Sequence, residues 1–186
     1  MKSLYQSIMS MLFLTILLGV IYPITLLSVG YLFSKDKATG SMVEFQGHVI
    51  GSSLIGQKMP VGYFQSRPSA NDYNTLLSGG TNFAVNNVQQ KLLINQRIQD
   101  LKTKFGNTGI PEDLVFSSGS GLDPEISFLG AMYQAHYIAK YHQIPFKVVM
   151  TLIRENTNIH LFNVDTVNVL QLNISLSNYL KVKDQS

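Results

Sequence analysis

No charged side chain occurs between Lys2 and Lys35. That gap constrains the chain more than any other feature. Residues 8–33, IMSMLFLTILLGVIYPITLLSVGYLF, contain 19 apolar residues out of 26, and the rest are Ser, Thr, Gly and Pro. A helix of that length spans roughly 39 Å, more than the roughly 30 Å of a hydrocarbon core. The segment predicts one transmembrane helix near the N-terminus, within residues 1–35, with residues 36–186 forming one soluble domain. The alternative is a cleaved signal peptide, for which Ser28-Val29-Gly30 offers a small-x-small site. Signal sequences, however, carry apolar stretches of only about 7–15 residues. Pro23 is tolerable in a membrane helix if neighbours satisfy the carbonyl it frees. Thr15 and Gly19, with Pro23 a further four residues on, form a small-residue face that a partner helix could approach closely. Lys2 and the α-amino group flank one end, Lys35 and Lys37 the other, so charge alone barely orients the span.

The remainder is nearly neutral. Of the net charge of +3, +2 lies in the first 37 residues. A balanced body argues against nucleic acid, which demands a concentrated basic face. The absence of Cys excludes disulfides, thiolate zinc sites and a Cys nucleophile. The pattern after Ala38 predicts an α+β domain. One or two short strands fall in Val43–Ser53, followed by a Gly/Pro-rich loop over 60–82 in which Tyr63-Phe64 reads as a brief strand. A helix capped by Asn86 or Asn87 runs to about Phe105, with Ile94, Ile98, Leu101 and Phe105 on its apolar face and Gly106 as its stop. Leu114–Phe116 reads as a strand. Asp123-Pro124-Glu125 opens a helix over 125–142, with Leu129, Met132, Tyr133 and His136 on one face and His136 in the core or at an interface. Pro145 starts another helix carrying Val149, Leu152, Ile153 and Asn156. Residues 168–182 fit both periods, with helix favoured by the length of the run.

Catalytic motifs are missing. There is no phosphate-binding G-x-x-x-x-G-K-[ST] loop, no DKTGT segment, no HExxH and no G-x-S-x-G elbow. Neither catalytic residues nor a metal site is expected. Asn173-Ile174-Ser175 matches a glycosylation acceptor but sits inside a regular element.

Four segments, in order behind TILLGVIYP (Thr15–Pro23), carry a resemblance. They are GSSLIGQ (Gly51–Gln57), YFQSRPSA (Tyr63–Ala70), LSGGTNF (Leu77–Phe83) and IPEDLVFSSGSGLDPEIS (Ile110–Ser127), with VNVLQLN (Val167–Asn173) after them. The chain resembles the C subunits of Kdp-type high-affinity potassium-transporting ATPases over about residues 12–178. It departs from them at His136-Tyr137, where Pro-Arg is usual, and over Phe162–Thr166, which lacks the usual glycine. The resemblance implies a noncatalytic subunit in a bacterial cell membrane. Its partners would be a potassium-translocating A subunit, an ATP-hydrolysing B subunit and a small F peptide. It implies a cytoplasmic N-terminus and an extracytoplasmic body. Two roles are open: a catalytic chaperone that raises the ATP affinity of B, or a cover over the potassium entrance of A. Leu77-Ser78-Gly79-Gly80-Thr81 resembles the LSGGQ loop of ABC transporters. Ser78, Gly79 and Gly80 are therefore the ATP candidates, against the alternative of a plain turn with left-handed glycines. Tyr63, Phe64 and Arg67 are the docking candidates, since aromatic-plus-Arg composition favours interface hot spots. The competing class is an independent membrane-anchored extracytoplasmic binding or sensor domain.

Overall fold

The computed structural model describes residues 2–107 and 109–184, and falls into two compact units, Met1–Met42 and Val43–Ser186. In the first unit, helix α1 (Lys2–Phe33) is the one helix among the described residues long and apolar enough to cross a membrane. None of its side chains is buried. It is not a uniform α-helix. Leu17–Ile21 form a π-turn, closed by the Tyr22 N–H donating to the Leu17 carbonyl. The cause lies two residues on. Pro23 has no N–H, and in an α-helix its ring would clash with the Gly19 carbonyl four residues back. One extra residue per turn relieves that clash without breaking the helix. Ser34, at φ −154° and ψ 60°, ends it.

The second unit opens with strands β1 (Met42–Phe45) and β2 (His48–Ser52), which pair across Gln46-Gly47. Both turn residues lie at positive φ, 55° and 79°, as a two-residue hairpin requires. Residues 53–87 contain no helix or strand. Helix α2 (Val88–Phe105) is capped by Asn87, whose Oδ1 accepts from the N–H groups of Gln89 and Gln90, and Gly106 ends it at φ 105°. Glu112–Leu114 is one turn of 3₁₀ helix rather than the strand expected nearby, and it tucks Leu114 and Val115 inside.

A three-stranded antiparallel sheet follows. Strand β5 (Thr166–Asn168) is central, flanked by β3 (Glu125–Ser127) and β4 (Thr157–Asn158), with Ile126 opposite Val167 and Thr157 opposite Val167. The helix expected from residue 125 therefore starts later. Ser127 is the true cap, its Oγ accepting from the Gly130 N–H, and α3 covers Phe128–Tyr141. Its buried face is Ala131, Gln134, Ala135 and Ile138; Leu129 is 66% exposed, and His136 is exposed and stacked on Phe146 at 4.0 Å. Of the expected face, Tyr133 is buried and Met132 packs against the core, whereas Leu129 and His136 point outward, because the buried stripe is centred on Ala131, Gln134, Ala135 and Ile138. Helix α4 (Phe146–Glu155) buries Val149 and Ile153. Helix α5 (Val169–Asp184) resolves the ambiguous segment: the alternating pattern belongs to β5, the helical stripe to α5. Val149, Ile153, Val167, Leu172 and Leu176 are fully buried between these elements, together with Phe64 from the long loop.

Candidate functional site

The YFQSRPSA segment joins no sheet, and two buried amides satisfy its backbone in place of a neighbouring strand. Asn173 on α5 accepts the Phe64 N–H at Oδ1 and donates from Nδ2 to the Phe64 carbonyl, both at 2.9 Å. Gln134 on α3 accepts the Gln65 N–H at 2.7 Å and donates to the Gln65 carbonyl at 3.1 Å. Two successive residues thus have both backbone groups satisfied by side chains from two helices, as burial demands. The brief strand expected at Tyr63-Phe64 is absent for this reason.

The clamp sorts the docking candidates. Phe64 has no exposed surface and belongs to the core, so it cannot present itself to a partner. Tyr63 is half-buried; its hydroxyl accepts from Ser177 at 3.3 Å and its ring meets His142 edge-on. Arg67 donates to Asp123 Oδ2 at 2.9 Å, and each of these side chains is about 30% exposed. Its Nε is buried without a partner. The Arg67 carbonyl accepts from the Tyr73 hydroxyl at 2.7 Å. Burial, then the neighbouring Asp72 carboxylate, pushes the Tyr73 phenol up to about 12. Arg67 and Asp123 border a groove of about 530 Å³, shared with Asp113, Glu125, Leu129 and Val164. Asp113 is already occupied: it accepts the Ser127 N–H at 2.6 Å and the Ser127 hydroxyl at 3.1 Å, and so fixes the start of α3.

The LSGGT loop lies against the second Gly/Ser cluster, residues 117–121. The Gly79 N–H donates to the Ser120 carbonyl at 2.7 Å, and the exposed Ser78 hydroxyl donates to the same oxygen at 3.2 Å. Asn71 Nδ2 donates to the carbonyls of Leu77 and Gly79. A phosphate cradle needs converging free N–H groups; here one of them is already paired. Neither Gly79 nor Gly80 has left-handed φ, which corrects the expected left-handed turn at these positions. A Cβ at Gly79 would meet nothing within 4 Å. The left-handed glycine is across the contact, at Gly121 (φ 68°), where a Cβ would sit 2.7 Å from the Gly79 carbonyl.

A second groove, of about 580 Å³, is lined by Lys104, Phe105, His136, Tyr137, Lys140 and Tyr141. Lys104 sits over the rings of Phe105 and Tyr137 at 5.1 and 5.2 Å, and burial pushes its ammonium pKa down. In the span, Thr15 is exposed, and Gly19 falls within the π-turn with open space where a side chain would begin. Among the described residues, no group of three or more His, Asp or Glu side chains could hold a metal.

Sequence reasoning missed Gln134 and Asn173. In the sequence Asn173 carries a glycosylation match and ends the VNVLQLN segment, with no sign of its partner; it is 5% exposed and spends its amide on Phe64. Asp123 reads in the sequence as a helix opener, and its pairing with Arg67 spans 56 residues with no local signal.

A family model for KdpC, the K+-transporting ATPase c chain, matches residues 4–178. Curated relatives, each named as the potassium-transporting ATPase KdpC subunit, cover both chains almost throughout. That of Yersinia enterocolitica is 38% identical, over 98% of this chain and 96% of its own. That of Photorhabdus laumondii is 39% identical, over 94% and 95%. That of Caldanaerobacter subterraneus is 40% identical, over 89% and 90%.

Proposed function

The chain belongs to the KdpC family of K+-transporting ATPase c chains, and from that premise we propose a noncatalytic subunit that a potassium uptake complex needs for assembly and activity. The observation that carries this reading is the extent of the match, which takes in the apolar helix and the body together. The lack of a DKTGT segment or a phosphate-binding loop in the sequence supports leaving phosphoryl transfer to a B subunit. Ion passage belongs to an A subunit, with a small F peptide completing the assembly. The helix spans the bacterial cell membrane with its N-terminus in the cytoplasm and its body outside.

Of the two roles that the resemblance leaves open, the pairing of the Gly79 N–H with the Ser120 carbonyl favours the cover over the chaperone. ATP would have to displace an internal hydrogen bond to use this loop, and outside the cell it would be absent.

Protease treatment of intact spheroplasts tests the topology: the body should be digested while the A and B subunits' cytoplasmic domains are spared. Co-purification, with potassium-stimulated ATP hydrolysis measured in membranes with and without this chain, tests the role. A body protected until lysis reverses the orientation. A chain that purifies alone and binds a ligand without other subunits is an independent sensor instead.

A further inference from the structure

Strands β4 and β5 are joined by residues 159–165, and this connection is the most exposed apolar segment of the body. Ile159 is 84% exposed, Leu161 86%, Phe162 96% and Val164 59%. Isolated apolar residues at a surface are ordinary, but four on one short tip are not. Nor does the tip dangle. The His160 N–H donates to Asp165 Oδ1 at 3.1 Å, a ring nitrogen of His160 shares a proton with the Thr166 hydroxyl at 3.0 Å, and Asn163 Oδ1 accepts the Val164 N–H at 2.8 Å. Thr157 and Asn158 are registered on Val167 and Thr166. The apolar side chains are therefore held outward at little further cost in chain entropy.

We propose that the β4–β5 tip is a second membrane contact, which inserts Ile159, Leu161 and Phe162 into the lipid interface. Three observations favour lipid over a protein partner. No charged side chain occurs between Glu155 and Asp165, and the Asp165 carboxylate accepts the His160 N–H at the base of the tip, so the tip itself offers no charge to steer a protein partner. The tip carries an apolar end flanked by polar Asn158, His160 and Asn163, the layering that interfacial anchors show. Finally, covalent reach keeps lipid close. Residues 34–42 join the span to the body, and nine residues extend at most about 30 Å. The body is thus covalently tethered to the bilayer that holds the span. This inference does not depend on which subunits the chain joins.

The test uses the full chain alone in phosphatidylcholine liposomes. The natural sequence has no Trp, so each introduced Trp reports by itself. Phe162→Trp should show blue-shifted emission and lose about half its intensity to bromine placed on the acyl chains, since interfacial side chains lie roughly 5–10 Å deep. Leu161→Trp supplies a second reporter should Phe162→Trp fold poorly. Leu14→Trp in the span calibrates full quenching, and Leu92→Trp on α2 should stay water-exposed and unquenched. Water-like emission from the tip with no bromine quenching would overturn the proposal, as would equal quenching at Leu92. Shielding of the tip from aqueous iodide that arises only with the other subunits, without bromine quenching, would also overturn it and assign the tip to a protein partner.

Discussion

At Gly121 and Gly79 two glycines of one contact have opposite requirements. Gly121 is left-handed and faces a carbonyl 2.7 Å from its would-be Cβ; Gly79 has neither constraint. Gly121→Ala should cost about 1–3 kcal/mol in urea denaturation of the detergent-solubilised chain, whereas Gly79→Ala should change stability by less than about 0.5 kcal/mol. The reverse order would mean that the LSGGT loop is held differently. Tyr73 supplies a pH signature. Its phenol loses its proton near pH 10 when unfolded and near pH 12 when folded, because burial and Asp72 disfavour the phenolate. A raised folded pKa stabilises fully below pH 10 and loses that contribution as pH climbs to 12. Unfolding free energy should therefore drop by on the order of 2 kcal/mol across pH 10–12 through this group. Tyr73→Phe should flatten that part of the decline. It should also weaken the fold slightly at neutral pH, since the Arg67 carbonyl loses its donor.

The Tyr63–Arg67 segment behaves as an element without being a strand. Gln134 and Asn173 reach it from α3 and α5 and tie those helices to a loop that is distant in sequence. Asn173→Leu keeps the volume but strands a buried N–H and a buried carbonyl at Phe64. The expected loss is about 2–4 kcal/mol by chemical denaturation, with Phe64 amide protection against hydrogen exchange lost first. Asn173→Asp retains the acceptor only and should fall between. Replacement by Leu without loss of stability would show the clamp to be incidental. Helix α1 shows a local counterpart in the other unit: the π-turn at Leu17–Ile21 lies just before Pro23, where a widened turn relieves the proline ring's clash, and the helix continues beyond it.

Among the described residues of the whole molecule one hydrophobic core forms, and it lies in Val43–Ser186. Fifteen buried apolar residues among those described form it, drawn from the 53–87 loop, the 3₁₀ turn, β3, β5, α3 to α5 and, at Ile144, the α3–α4 connection. A soluble fragment of residues 43–186 should therefore fold cooperatively, with coincident far-UV and near-UV melting transitions. A fragment that keeps helix content but shows no near-UV signal or cooperative transition would mean that the span is needed to complete the fold.

What the sequence determined by itself is whatever rests on local chemistry. The span follows from 32 consecutive uncharged residues, the α2 boundaries from Asn86 or Asn87, of which the structure uses Asn87, and from Gly106, and the α4 start from Pro145, because hydropathy, caps and proline act over a few residues. Linear order of motifs likewise sufficed for the family. Tertiary structure decided the rest. Strands of two or three residues, such as β3, β4 and β5, carry too few positions to display a period, so they exist only through their partners. Phe64 became core and Arg67 became an ion-pair member through Asn173 and Asp123, more than 100 and more than 50 residues away. The left-handed glycine fell at Gly121 rather than Gly79, because which glycine must turn depends on the loop packed against it, and composition alone does not record that contact.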